Sequence, residues 1–201
     1  MFDHLLRGLK DRWFAPLATL FRGVAPNTIS LVALLLGLGA ALAAVRGAWT
    51  IGLALWLGNR IADGLDGSVA RLTERQTDFG GYLDILFDFV VYAAVPLGCA
   101  IGSLNRGVVV MAVLLEAMFF VNACSWMYLS AVLEKRASGA AATGELTTVT
   151  MPPALVAGFE TIVFFSLFFL FPAQLPTLFG VMSALVGVNI VQRLVWAKRV
   201  L

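Results

Sequence analysis

Apolar runs of about twenty residues, each closed by a short polar break, follow one another along this chain and leave it few possible architectures. Backbone surrounded by lipid must satisfy its own N–H and C=O groups, which a helix does and an open loop or sheet edge does not. Six such runs lie near 28–45, 49–70, 81–103, 107–133, 152–171 and 177–196. Composition agrees, with 60% of the 201 residues hydrophobic and 13% charged, where a soluble domain has about 25% charged. The expected fold is an all-α integral membrane protein forming a single domain over 1–201. Six transmembrane helices would make a bundle over 28–196, preceded by an N-terminal amphipathic interfacial helix at 1–22. That helix is read from Arg7, Lys10, Arg12 and Arg22 set among Phe2, Leu5, Leu6, Leu9, Trp13, Phe14 and Leu17. Pro26 and Asn27 suit the start of the first span, and Asn27 or Thr28 could cap it.

The basic residues sort to one side of this arrangement. Arg7, Lys10, Arg12, Arg22, Arg71, Arg75, Lys135, Arg136, Arg193, Lys198 and Arg199 fall on the side of the termini, and only Arg46 and Arg106 on the other. The positive-inside rule then places both termini on the cytoplasmic face of a cell (inner) membrane. A net charge of +2 without a basic stripe gives no support to a nucleic-acid partner. Cys99 and Cys124, both in apolar runs and without CxxC spacing, read as buried thiols. The loop 134–150 is the longest polar segment, either a flexible cover near the site or a plain connector.

Against this apolar background the stretch Asp63–Asp88, DGLDGSVARLTERQTDFGGYLDILFD, is anomalous. Ionisable groups in membrane spans are costly and usually face a water-filled cavity or a bound ion. On a helix, Asp63, Asp66, Gly67 and Ala70 share one face, and so do Gly80, Asp84 and Asp88. Turned toward each other, the two faces would form a cage of carboxylates that repels itself unless cations fill it. Hard oxygen donors point to Mg²⁺, Mn²⁺ or Ca²⁺ rather than zinc. Arg60, less than a turn before Asp63, is placed to balance that charge. Glu116 and Glu160 are further acids within spans, serving either neighbouring hydroxyls and amides or an acceptor or lipid. Asn122 and Asn189 read as helix-to-helix hydrogen bonders. The Phe residues of 164–171 read as lipid-facing or core filler.

The pattern Asp63-x-x-Asp66-Gly67-x-x-Ala70-Arg71, eight residues, then Gly80-x-x-x-Asp84-x-x-x-Asp88, resembles the signature of the CDP-alcohol phosphotransferases at every fixed position. The likeness extends to the six spans, the amphipathic N-terminal segment and the Pro-Asn before the first span. It implies an enzyme of phospholipid biosynthesis that moves a substituted phosphate from a CDP-linked donor to an alcohol and releases CMP. By the same resemblance Asp63, Asp66 and Asp84 hold divalent metal, as two ions of Mg²⁺ or Mn²⁺, while Asp88 reaches the second metal or the acceptor. Asp88 is then the candidate general base. Gly67 and Ala70 would clear space for the cytidine and ribose, Arg71 would pair with the pyrophosphate, and Gly80 would allow close helix approach. A homodimer is also what the resemblance implies.

Relatives that use phosphorylated acceptors often carry a basic residue directly after the last aspartate. Here Phe89 follows, then Val90, Val91 and Tyr92, with Pro96 beyond, a tail resembling the phosphatidylserine synthase branch. CDP-diacylglycerol with a small hydroxyl acceptor is the first expectation. The reverse arrangement, CDP-choline or CDP-ethanolamine with diacylglycerol, also fits the motif. A membrane prenyltransferase would separate its two Asp-rich motifs by a long interval, and a divalent-cation transporter would show a matching second half. Neither feature is present.

Overall fold

The computed structural model describes residues 14–136 and 156–201, and every regular element among them is helical. Residues 14–20 are helical and lead into α1 (Pro26–Val45), α2 (Trp49–Leu72), α3 (Asp78–Ser103), α4 (Arg106–Lys135), α5 (Gly158–Leu170) and α6 (Leu175–Val200). A short 3₁₀ turn, Pro172–Gln174, joins α5 to α6. Most of the expected interfacial helix, with His4, Arg7, Lys10 and Arg12, lies outside the described residues. So do most of the loop 134–150 and the start of the fifth expected span.

Helix boundaries follow local chemistry. α1 begins with Pro26, whose missing N–H costs nothing in the first turn, and Ala25 is its N-cap residue. Neither Asn27 nor Thr28 caps it, contrary to expectation, because both already lie inside the helix. Thr77 starts α3 by accepting from the Gly80 amide at 3.0 Å, and Asn105 starts α4 by accepting from the Gly107 amide at 2.8 Å. α3 continues unbroken past Pro96.

α1 is the helix on which the first half is assembled. It packs along both α2 and α3, which meet each other little. At one end its contact with α3 is almost bare backbone. A Cβ on Gly98 would strike the Ala41 carbonyl, and one on Gly102 the Ala44 carbonyl. Small residues at such a seam let helices in lipid come within van der Waals reach of each other's main chain. α4 and α6 form a second packed pair, and α5 lies between the halves. There Trp56, Phe165, Phe168 and Phe179 are buried, with Phe168 edge-on to Phe179 at 4.7 Å between ring centroids. Phe165, Phe168 and Phe169 are thus core, while Phe171 faces outward.

Four segments are long and apolar enough to cross a membrane: Pro26–Val45, Asp78–Ser103, Arg106–Lys135 and Pro172–Val200. The six expected spans therefore reduce to four by this measure, plus the shorter apolar Gly158–Leu170. α2 drops out because Arg60, Asp63, Asp66 and Arg71 all lie on it. Large apolar side chains are exposed along the outside of α4, including Val110, Val113 and Phe120, as expected where lipid is the solvent.

Candidate active site

All four motif aspartates line one cleft. Asp63 and Asp66 come from α2, Asp84 and Asp88 from α3, and Ser30, Ala33 and Leu34 of α1 form the floor with Asn59, Arg60, Phe87 and Val91. The two acidic faces do not pack directly on each other as a closed cage. α1 lies between their helices, and the gap is bridged by side chains. Gly67, Ala70, Arg71 and Gly80 are not among the residues lining the cleft. Gly67, Ala70 and Arg71 occupy the following turn of α2, where Arg71 donates to Ser68 Oγ at 3.3 Å. Gly80 sits near the start of α3 beside α1, where an added Cβ would come 3.3 Å from Asn27 Oδ1.

Asp66 is buried at 6% exposure. Its Oδ2 accepts from Ser30 Oγ at 2.5 Å, and its Oδ1 accepts from the Gly67 amide. Charge-assisted bonds of this kind are what make a buried carboxylate tolerable. Ser30 Oγ also lies 3.2 Å from the Pro26 carbonyl, which ties the site to the first turn of α1. Behind Asp66, Leu65 and Val69 pack with Ala18 and Ile29, so the helical residues 14–20 brace this corner.

Asp88 belongs to a different network. Its Oδ1 accepts from Arg60 Nη2 at 2.8 Å, and its Oδ2 accepts from the Tyr92 hydroxyl at 3.3 Å. Arg60 Nη1 donates to the same Tyr92 oxygen at 3.2 Å and lies 3.6 Å from Asp63 Oδ2. Arg60 Nε donates to Asn59 Oδ1 at 2.7 Å, and Asn59 Nδ2 donates to the Ala33 carbonyl at 2.7 Å. The charge-balancing place expected of Arg60 is where the structure puts it. Ser30, Asn59 and Tyr92 were not anticipated as site residues. Their only sequence signal is polarity inside a span, at helical spacing from an aspartate for Asn59 and Tyr92.

Other expected residues have local partners. Glu160 accepts from the Ala157 amide at 3.0 Å and so closes the start of α5. Glu116 is the exception, its Oε1 buried without a hydrogen-bond partner among the described residues. Asn122 accepts from Arg193 across α4 and α6 at 2.9 Å, whereas Asn189 pairs with both backbone groups of Val156. Cys99 is buried but Cys124 is exposed, against the expectation of two buried thiols.

Two acidic helices, one cleft and an Asp-Gly-Ala-Arg motif define a narrow class. The CDP-alcohol phosphatidyltransferase family matches residues 23–188. The chain belongs to this family. It is also similar to the inner membrane protein YnjF of Escherichia coli (strain K12), 32% identical over 175 residues covering 87% of this chain and 83% of that protein. A CDP-alcohol phosphatidyltransferase is a transferase enzyme, and its family is generally dependent on divalent metal. Among the described residues no three acids are gathered as a metal-binding group. Asp66 turns toward Ser30 and Gly67, and Asp88 toward Arg60 and Tyr92. The donor chemistry still fits a hard cation, since carboxylates are the metal-ligating side chains in the cleft and no thiolate or imidazole lines it.

Proposed function

We propose that this enzyme transfers a phosphatidyl group from CDP-diacylglycerol to a small alcohol that carries no phosphate, releasing CMP. The observation carrying the reading is that Asp63, Asp66, Asp84 and Asp88, at the family spacing, line one cleft from two helices. Phe89 in place of a basic residue after Asp88 supports the unphosphorylated acceptor. The cleft lies between helices rather than inside a closed core, which suits a donor whose diacylglycerol tail stays in lipid.

In this reading the acceptor hydroxyl oxygen attacks the phosphorus bearing the diacylglycerol. The bond from that phosphorus to the bridging oxygen of CMP breaks, and its electron pair leaves on CMP. Asp88 takes the hydroxyl proton, a role that needs a carboxylate within hydrogen-bond reach of the acceptor. Asp63, Asp66 and Asp84 would hold Mg²⁺ or Mn²⁺, as two ions if Asp88 also contributes. Bound metal neutralises the donor pyrophosphate and stabilises the departing phosphate. Gly67 and Ala70 leave room for the nucleoside, Arg71 faces the pyrophosphate, and Gly80 keeps α3 close to α1.

All six helices cross the membrane in this proposal, α2 with its charged face turned to the cleft. Both termini and the cleft face the cytoplasm, where CMP is released, and the enzyme works as a homodimer within one domain.

The test is CMP release by purified protein in detergent with CDP-diacylglycerol and Mg²⁺. Serine, glycerol, inositol, glycerol 3-phosphate and inositol phosphate are offered in turn, with Asp88→Asn as control. Release that depends on one unphosphorylated acceptor and disappears in the control is expected. Dependence on a phosphorylated acceptor would overturn the acceptor assignment. Release only with CDP-choline or CDP-ethanolamine and diacylglycerol would reverse donor and acceptor.

A further inference from the structure

Arg60 is held from several sides in the cleft, and the motif does not include it. Its side chain is 8% exposed. The guanidinium carbon lies 4.8 Å from the Trp56 ring centroid and 5.4 Å from that of Tyr92. Trp56 is in turn fixed to α5, donating from Nε1 to Ser166 Oγ at 3.2 Å. Asn59 fixes the other edge of the guanidinium and is itself anchored to α1 through the Ala33 carbonyl. Four helices thus determine where this one cation sits. A planar fork with several donors can hold such a position, whereas a flexible ammonium cannot.

What Arg60 holds is Asp88. The carboxylate accepts from the guanidinium on one oxygen and from Tyr92 on the other, and Tyr92 also accepts from Arg60. The three side chains close a ring whose geometry depends on all its members. Arg60 reaches Asp63 differently, at an ionic distance of 3.6 Å, longer than its bond to Asp88. Asp66 is held by Ser30 and Gly67, away from the guanidinium. A divalent ion bound on Asp88 would have to approach a guanidinium that is already hydrogen-bonded there, and like charges repel. The four acids are therefore not equivalent.

We propose that Arg60 is a positioning residue that keeps Asp88 out of the metal shell and aimed at the acceptor, so that the cleft's own organic cation divides the carboxylates into a metal set and a base. This rests on the transferase reading given above and decides between the two places that reading allows Asp88. It follows that removing Arg60 frees Asp88 to join the metal. Such a variant binds metal more tightly and turns over more slowly, a combination that general loosening of the fold does not produce.

The experiment pairs two readouts on Arg60→Gln, Asp88→Asn and the double variant, in detergent. Mn²⁺ affinity is read from the electron paramagnetic resonance signal of free Mn²⁺, without substrate. Turnover is read as CMP release. Arg60→Gln is expected to lower kcat about 100-fold with the donor KM within about threefold, because the base is misplaced while donor contacts remain. Its Mn²⁺ affinity should rise about tenfold, within the range of effects produced by groups around metal ligands. In the double variant the affinity gain should vanish and kcat should fall no further than in Asp88→Asn. Unchanged or weaker Mn²⁺ binding in Arg60→Gln would overturn the proposal, and so would wild-type kcat. If Arg60→Gln does not fold, Arg60→Lys replaces it. It should show the same opposed shifts at about a third of their size on a logarithmic scale, since charge is kept and the fork is lost. Wild-type values in that variant would equally overturn the assignment. Absence of CMP release from the unmutated enzyme would remove the transferase reading, while the Mn²⁺ comparison would still decide where Arg60 holds Asp88.

Discussion

Arg60 and Arg193 are both buried, yet they are accommodated in opposite ways. Arg60, in the α1–α3 half, meets two carboxylates, a phenol, an amide oxygen and two aromatic faces. Arg193, in the α4–α6 pair, is 4% exposed and directs Nη1 at Asn122 and Ser125, while its Nε is buried without a partner. Among the described residues it has no carboxylate within ion-pair distance. The first arginine belongs to a charge-balanced network, and the second is a charge dissolved in neutral acceptors. Removing the first leaves acids uncompensated, whereas removing the second relieves a desolvated cation. The two halves differ in the same sense, one built around charge and the other around apolar packing.

The comparison can be broken most decisively at the carboxylates. Asp66→Ala or Asp84→Ala is expected to lower CMP release about 1000-fold, the upper range for removing one element of an electrostatic site. A loss below tenfold would mean that the cleft is not where reaction occurs. Thermal unfolding in EDTA then compares the arginines themselves. Arg60→Met should destabilise by about 2–3 kcal/mol, short of the 3–5 expected for a fully buried pair because Asp88 is 29% exposed. Arg193→Met should stay within about 1 kcal/mol of wild type, since no counter-charge is stranded. Equal losses would erase the distinction drawn here.

Smaller effects sharpen it. Gly98→Ala places a methyl group against the Ala41 carbonyl and should cost about 1–3 kcal/mol. Gly187→Ala in α6 meets nothing within 4 Å and should be neutral or stabilising by up to about 1 kcal/mol. Ser30→Ala should weaken Mn²⁺ binding about tenfold through loss of the bond that orients Asp66, and should cost about 1–3 kcal/mol because a buried carboxylate loses a donor.

The acids of the cleft were legible because chemistry restricts them. Asp63, Asp66, Asp84 and Asp88 have no reason to stand in apolar spans except function, and their spacing is strict. The surrounding wall was not legible. α1 reaches the site through Ser30, Ala33 and Leu34, residue types that any membrane helix contains. Tyr92 looked like the tail of a motif, and only the helical register with Asp88 and Arg60 reveals its use. Hydropathy passes over α2 for a related reason: the charged residues that line its side of the cleft are those that lower it. What lies between the helices was likewise invisible, since Gly98 and Gly102 become meaningful only when Ala41 and Ala44 are seen opposite.

That glycine–alanine seam would act as a fulcrum for any tilt of α3. Asp88 stands fourteen residues before Gly102 on one helix, a lever arm of about 21 Å at 1.5 Å per residue. A tilt of about 5° at the seam would swing the carboxylate by about 2 Å, and misplacement of about 1 Å can cost 100-fold in rate. Glycine and alanine have no side-chain rotamers to lose or exchange, so the fulcrum has no soft adjustable layer. The alignment proposed for Asp88 is thus partly set at the far end of the bundle, by residues that carry no chemistry.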